Sequence, residues 1–297
     1  MDLASDLKTP KKELGEFYET ACRALNYIPE VITNSNYRNN FVIHESTTAG
    51  STKFLRPINK DLFISSSSEF KVKYKECMKH FRSINKTKGK IDLELEALLN
   101  IDSVIYTIHQ SIGCSMDLLI NSNSARKHLG NRLEELMRAV FTAVGITNKR
   151  VVLKIPYDHE GKTRTYKCEN DLILSPFKEV KSSTTNIHEN EIVVSAKTSS
   201  KDRMGKIFID KILLQEFVGH KINVIGIFLN DVQRKETDNI SYTLVSGLFM
   251  VYTKFLTQLN GIYYLDPPPQ AQKDPYNQHM YKFSELISKQ VWKMLAS

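Results

Sequence analysis

The apolar positions of this chain change their spacing near Asn121. Before that point they recur at helical intervals. Leu14, Phe17, Tyr18, Cys22 and Leu25 lie near a 3.6-residue period and predict a helix over residues 11–28. Residues 69–84 predict a second helix, which is strongly basic. Leu93, Leu95, Leu98, Leu99, Ile101, Val104, Ile105 and Ile108 predict one or two buried helices over 91–120. The Asn/Ser/Thr-rich stretch 33–52 reads as a loop.

After Asn121 the pattern is mixed. A helix over 124–144 ends at Gly145, a residue suited to a C-cap. Strand-like segments then crowd together at 151–155, 163–168, 171–174 and 192–196. Helical spacing returns over 204–217. The run Ile222-Asn223-Val224-Ile225-Gly226-Ile227-Phe228-Leu229 has the nearly continuous apolar character of a central strand covered on both faces. Residues 242–259 predict a buried helix, 262–265 a short strand closed by three prolines, and 281–295 a last helix. There is no internal repeat. The order predicts an α/β core, a mixed central sheet flanked by helices, over residues 121–297. A mainly helical region precedes it over 1–120, either as a separate lobe or packed on the core.

Composition narrows the partner. The chain has 297 residues, 41% of them hydrophobic, enough for one large core or two modest ones. A formal net charge of +8 and a pI near 9.1 suit a polyanion, nucleic acid above all, although a merely basic protein has the same balance. Lys71, Lys73, Lys75, Lys79, Arg82, Lys86, Lys88 and Lys90 surround one acid, Glu76, with Tyr74, His80 and Phe81 interleaved. That segment reads as a phosphate-tracking face or as a solvated basic helix. Cys22, Cys77, Cys114 and Cys168 are far apart and form no CxxC or Cys/His cluster, which speaks against zinc and for reduced thiols. No basic and apolar leader opens the chain, and no apolar run approaches the ~18 residues of a membrane span. A soluble, cytoplasmic protein is expected.

The candidate chemistry lies in two strand-like segments. Asp171 heads the apolar run Leu172-Ile173-Leu174, where a lone carboxylate is otherwise costly. Lys197 ends the apolar run that begins at Ile192, and Ser195 shares its face because strand side chains alternate. A polar and basic turn, Thr198-Ser199-Ser200-Lys201-Asp202-Arg203, follows. Phosphodiester hydrolysis needs carboxylates for a hard divalent metal, a positioned water and positive charge near the phosphate. Taken singly, each residue also reads as a strand-end charge in solvent. Glu134, on the helix that precedes the sheet, can offer a second carboxylate, or it is a surface glutamate beside Glu135.

These elements together resemble the PD-(D/E)xK nuclease superfamily. The order is a Gly-x-x-x-Glu helix (Gly130 to Glu134), an Asn-Asp strand (Asn170, Asp171), then Ser195-Ala196-Lys197-Thr198-Ser199 with Lys201 and Arg203. It looks most like type II restriction endonucleases of the EcoRII-like and related CCGG-cutting branch. Those often carry a Ser-Arg-x-Ser-Arg-x-Gly-x-x-x-Glu pattern, to which the segment from Asn123 through Arg126 and Gly130 to Glu134 is similar. The resemblance covers about residues 122–230. It departs in two places: Asn170 stands where the pattern has a proline before the aspartate, and Ser195 stands where it has a carboxylate. Glu134 is the first candidate to replace that acid, and Asp210 on the following helix the second.

The resemblance implies a PD-(D/E)xK core and Mg²⁺-dependent attack of water on double-stranded DNA by a homodimer. Asp171, Glu134 and the carbonyl of Ala196 would hold the metal. Lys197 would orient the water or neutralise phosphate charge. Thr198, Lys201 and Arg203 would contact phosphates, and Arg126, Lys127, Asn131 and Arg132 would meet DNA, with Arg126 the first choice for base reading. A repair or junction nuclease of the same superfamily, and a DNA-binding protein with an inactive core, are the alternatives.

Overall fold

The computed structural model describes residues 2–48, 51–237 and 239–296. Helices α1 (Leu3–Lys8) and α2 (Leu14–Val31) lead into strands β1 (Asn34–Arg38), β2 (Phe41–Thr48), β3 (Ser51–Phe54) and β4 (Ile58–Asn59). Helices α3 (Ser67–Thr87), α4 (Leu95–Leu119) and α5 (Ser122–Ala143) follow. Next come β5 (Thr147–His159), β6 (Lys162–Ser175), β7 (Ile192–Lys197), α6 (Met204–Val218), β8 (Asn223–Phe228), β9 (Val232–Lys235) and β10 (Asn239–Tyr242). Helix α7 (Ser246–Phe255), strands β11 (Ile262–Tyr264) and β12 (Met280–Lys282), and consecutive helical pieces Phe283–Glu285, Leu286–Gln290 and Val291–Ala296 complete the chain.

Six strands form the central sheet in the order β12-β11-β8-β7-β6-β5. β5, β6 and β7 pair antiparallel, whereas β7, β8, β11 and β12 run parallel. This is the mixed sheet expected from the sequence. Both faces are covered. Leu172, Leu174, Ile192, Val194, Ala196, Ile225 and Ile227 join the apolar core shared with α2, α4, α5 and the C-terminal helix. Ile173, Val193, Val224, Phe228 and Ile262 face the other way, onto α6 and α7. Alternate residues of each strand therefore serve opposite cores, and the strands read as continuous apolar runs.

The first core runs without a break from Leu7 to Val291, so the N-terminal helices pack on the sheet through α4 and α5. Helix α4 is a single buried helix. Helix α5 starts at Asn121, whose side chain accepts from the Ser124 amide at 2.9 Å. It stops at Gly145, which adopts φ 82° as the Ile146 amide donates back to the Phe141 carbonyl.

Three sequence expectations fail. Stretch 33–52 is not a loop: its described residues form β1, β2 and β3 of a small antiparallel sheet. β1 is half-exposed throughout, so its stability comes from pairing with β2 rather than from apolar side chains. The expected strands 163–168 and 171–174 are one strand, β6, because β5 pairs with it from Lys162 to Ser175 across a single register shift at Asp171 and Leu172. A two-residue turn, Glu160-Gly161, joins them with both φ positive, 52° and 70°. The buried helix expected over 242–259 is the shorter α7, of which only Phe249 and Thr253 are buried.

Candidate active site

The antiparallel register of β6 and β7 ends at the pair Leu172–Val194. One step further, the Asp171 carboxylate replaces a backbone acceptor. Its Oδ2 accepts from the Ala196 amide at 2.9 Å and from the Lys197 ammonium. The acid is thus fixed by the sheet, with its side chain 12% exposed. Lys197 stands at the end of β7 on the α6 side of the sheet. There the parallel pairing with β8 carries it beyond the covered part of the strand.

Helix α5 passes beside this end of the sheet and brings the second carboxylate. Glu134 Oε1 lies 3.7 Å from Lys197 Nζ, so one ammonium serves both acids. Burial is the main cause that raises the Glu134 carboxyl to about 7, and the Asp171 carboxylate adds to it. Lys197 and Arg150 oppose that rise. A glutamate so placed passes between acid and carboxylate near neutral pH.

A cleft of about 1190 Å³ opens over these groups. Asp171, Glu134, Ser195, Ala196 and Lys197 all line it, and so do Arg126, Lys127, Asn131, Thr198, Lys201 and Arg203. Asp210 lines it too but is engaged by Lys206 one helical turn away. Of the two acids considered for the place of the missing one at Ser195, Glu134 is the one beside Lys197. Among the described residues no group of three or more His, Cys, Asp or Glu side chains gathers to hold a metal. Two carboxylates with a strand-end carbonyl are nonetheless hard oxygen donors of the kind Mg²⁺ takes. It usually keeps water and substrate phosphate for its remaining positions.

The DNA-facing candidates divide. Arg126, Lys127 and Asn131 are exposed on the first turns of α5, and Arg126 also lines a second cleft of about 710 Å³ that adjoins the first. Arg132 is a correction. It is 2% exposed, donates to the Thr9 carbonyl and pairs with Glu135 at 2.9 Å. Glu135 in turn accepts from the Lys11 amide at 2.8 Å. Arg132 therefore ties the N-terminal segment to α5 and is not available to DNA. Its place on the helix announces this, three residues after Leu129 and four before Leu136, on the apolar stripe.

Helix α3 forms as expected, with Lys71, Lys75, Lys79, Arg82 and Lys86 exposed, but none of its residues lines either cleft. The structure adds cations that the sequence reading missed. Arg138, Arg150 and Lys206 line the main cleft, and Lys53 and Arg56 from the N-terminal sheet side line the second. Gln233 and Arg234 were not missed: they belong to the stretch 230–234 after the central strand, which reads from the sequence as a DNA-facing segment or as a polar loop, and on the β9–β10 hairpin they line both clefts. The Lys149-Arg150 pair ahead of an apolar strand was the available signal for Arg150.

No protein-family model matches the chain, and no curated protein is significantly similar to it in sequence. Solved structures do match. The Type IIP restriction endonuclease Kpn2I superposes with a TM-score of 0.70 at 17% identity, over 95% of this chain and 91% of that one. The restriction endonuclease PspGI in its substrate DNA complex matches at a TM-score of 0.41 and 10% identity, over 75% of this chain and 93% of that one. The likeness to Kpn2I extends through the N-terminal region as well as the core. The chain has a restriction-endonuclease fold.

Proposed function

We propose that this protein is a type II restriction endonuclease that hydrolyses double-stranded DNA at a defined sequence, with Mg²⁺ as cofactor. One observation carries the reading. The Lys197 ammonium lies between the carboxylates of Asp171 and Glu134 in a cleft rimmed by cations, on the fold shared with Kpn2I. Arg126 and Gly130 ahead of Glu134 favour the EcoRII-like, CCGG-cutting branch.

Asp171, Glu134 and the Ala196 carbonyl would hold Mg²⁺. When bound, the ion supplies Lewis-acid polarisation of the phosphate and acidifies a water. Lys197 brings a compact cation to the attacked phosphate and steers the incoming water. Thr198, Lys201 and Arg203 grip phosphates along the turn, and Arg126 reads a base edge. Ser195 lines the wall beside Lys197 and contributes no charge.

A homodimer belongs to this reading. The described residues of each chain hold one candidate catalytic site, and cutting both strands of a palindromic site calls for two related by symmetry. The outer face of α7 supports it. Leu248, Val251 and Phe255 are 43%, 49% and 71% exposed. Lys254 is the one charged residue of α7. A face so apolar and so poor in charge suits a second copy of a chain whose net charge is +8. No helix among the described residues is long and apolar enough to cross a membrane. All four cysteines are free thiols, in keeping with a cytoplasmic place of action.

Incubation of mixed plasmid DNA with the protein and Mg²⁺ tests the proposal. Discrete fragments are expected, and sequencing their ends gives the site. Lys197→Ala is expected to bind the same DNA and leave it intact. Structure-dependent nicking would favour a repair or junction nuclease. Binding without cutting by the unaltered protein would favour an inactive DNA-binding core.

A further inference from the structure

Asp231 follows the end of β8 and has no solvent exposure. Four donors converge on its carboxylate. Oδ1 accepts from the Ser200 amide at 2.6 Å and from the Thr243 hydroxyl at 2.9 Å. Oδ2 accepts from the Ser200 hydroxyl at 2.6 Å and from the Tyr264 hydroxyl at 2.7 Å. A carboxylate this deep is tolerated because its lone pairs are taken by donors. The donors come from the turn after β7, from the foot of the β9–β10 hairpin and from β11.

The backbone explains what this achieves. Past the formal end of β8, the Leu229 amide still donates to the Lys197 carbonyl at 3.2 Å, and the Asn230 amide to the Thr198 carbonyl at 3.5 Å. The Asp231 side chain makes the next link, to Ser200. The Ser200 carbonyl in turn accepts the amides of Arg203 and Met204 at 2.7 and 2.9 Å, which starts the helical segment leading into α6. Ser200 is therefore the pivot of the turn that carries Thr198, Lys201 and Arg203 into the cleft beside Lys197.

We infer that Asp231 is a positioning residue for phosphate engagement: it clamps Ser200 and thereby holds the cationic turn 198–203 at the distance from Lys197 that bound DNA requires. The inference rests on the nuclease reading and adds to it a residue that never meets the substrate. A carboxylate that only stabilised the fold would leave phosphate contact and rate unchanged once stability was matched.

Two measurements on the full-length protein decide it. One is the salt dependence of DNA binding without Mg²⁺. The other is the cleavage rate with DNA saturated by protein. Asp231→Asn and Ser200→Ala are the variants. Val291→Ala, a core truncation on the C-terminal helix away from both clefts, is the destabilised reference. Each lost phosphate contact lowers the slope of log affinity against log salt by about 0.9. Asp231→Asn and Ser200→Ala are expected to lose about one contact and at least tenfold in rate. Val291→Ala, at equal loss of melting temperature, should keep slope and rate within about twofold. If the two variants behave like Val291→Ala, Asp231 is structural only and the inference fails. If Asp231→Asn does not fold, Ser200→Ala decides alone. Should the unaltered protein bind DNA but not cut it, the cleavage reading fails while the salt slopes still judge the clamp. Should it bind no DNA, both fall.

Discussion

Glu134 and Lys197 belong to different elements, α5 and β7, yet their charged ends stand 3.7 Å apart at the mouth of one cleft. The pair makes the helix part of the site rather than a support for it. Replacing Glu134 by Gln keeps shape and removes charge. The cleavage rate of Glu134→Gln is expected to fall by roughly 100-fold or more, the scale of a lost catalytic carboxylate. Affinity for DNA in the absence of metal should hold or rise, because a negative charge leaves the cleft. Single-turnover cleavage and a gel-shift titration read the two effects; an unimpaired rate removes Glu134 from the site.

The same residue sets the expected pH profile. Its carboxyl is raised to about 7 by burial and by Asp171, so a large fraction is protonated at pH 6. In the proposed site the charged form would hold metal, so the rate should climb with pH below about 7, by up to tenfold per unit, and level off above it. Rates at constant ionic strength between about pH 5.5 and 8.5 check this. A flat profile across that range contradicts it.

Ser195 offers a test by repair. It sits on the same strand face as Lys197 and lines the same cleft. In a Glu134→Ala background, adding Ser195→Asp restores a carboxylate from the strand instead of the helix. The double variant is expected to cut at least about tenfold faster than Glu134→Ala alone. No recovery would mean that the helix position cannot be exchanged for the strand position.

Two arginines six residues apart on α5 should part company. Arg132→Ala removes a buried partner of Glu135 and of the Thr9 carbonyl, and about 3 kcal/mol of stability should go with it. DNA affinity at a temperature where the variant is folded should not change. Arg126→Ala should leave stability within ~0.5 kcal/mol and cost about 1–3 kcal/mol of discrimination at one base pair. Urea unfolding and cleavage of singly altered sites give the two numbers.

Two buried acids make stability itself pH-dependent. Burial raises Asp102, which accepts from the Ser284 amide and hydroxyl, and Asp266, beside Asn59, from 3.8 to about 7. The folded protein keeps these protons to near neutrality, while the unfolded chain releases them near 3.8. The folded state thus binds more protons in that window, and stability falls as pH rises through it, by at most about 1.4 kcal/mol per unit for each acid. Below the window the acids cost nothing. Above it the full penalty remains. Asp102→Asn should flatten part of the slope in urea titrations at a series of pH values.

Much of the core was legible because its strands are covered on both faces. The run around Ile225 and Ile227 can be little else than a central strand, and Lys197 at the end of such a run is conspicuous. The N-terminal sheet was not legible. β1 and β3 are polar and largely exposed, and pairing between β1 and β2 is a relation between residues, not a property of either segment. Helix α7 misled in the opposite sense, since apolar side chains that imply a buried helix here face outward. Asp231 lies in the stretch 230–234, which reads from the sequence as a DNA-facing segment or as a polar loop and not as a buried clamp. Its partners, Ser200, Thr243 and Tyr264, are between 12 and 33 positions away, where no local pattern points to them.

The bond from the Ala196 amide to the Asp171 carboxylate also bears on how the chain finds its register. β6 and β7 are joined by a long connection without regular strand, which sets no alignment between them. A slip of one residue would offer the amide an apolar leucine, Leu172, and turn Asp171 to the opposite face. Only one alignment lets the acid close the end of the ladder. The group proposed to hold the metal is thus also a latch on the correct strand pairing, so a neutral replacement at Asp171 risks scrambling the sheet as well as silencing the chemistry.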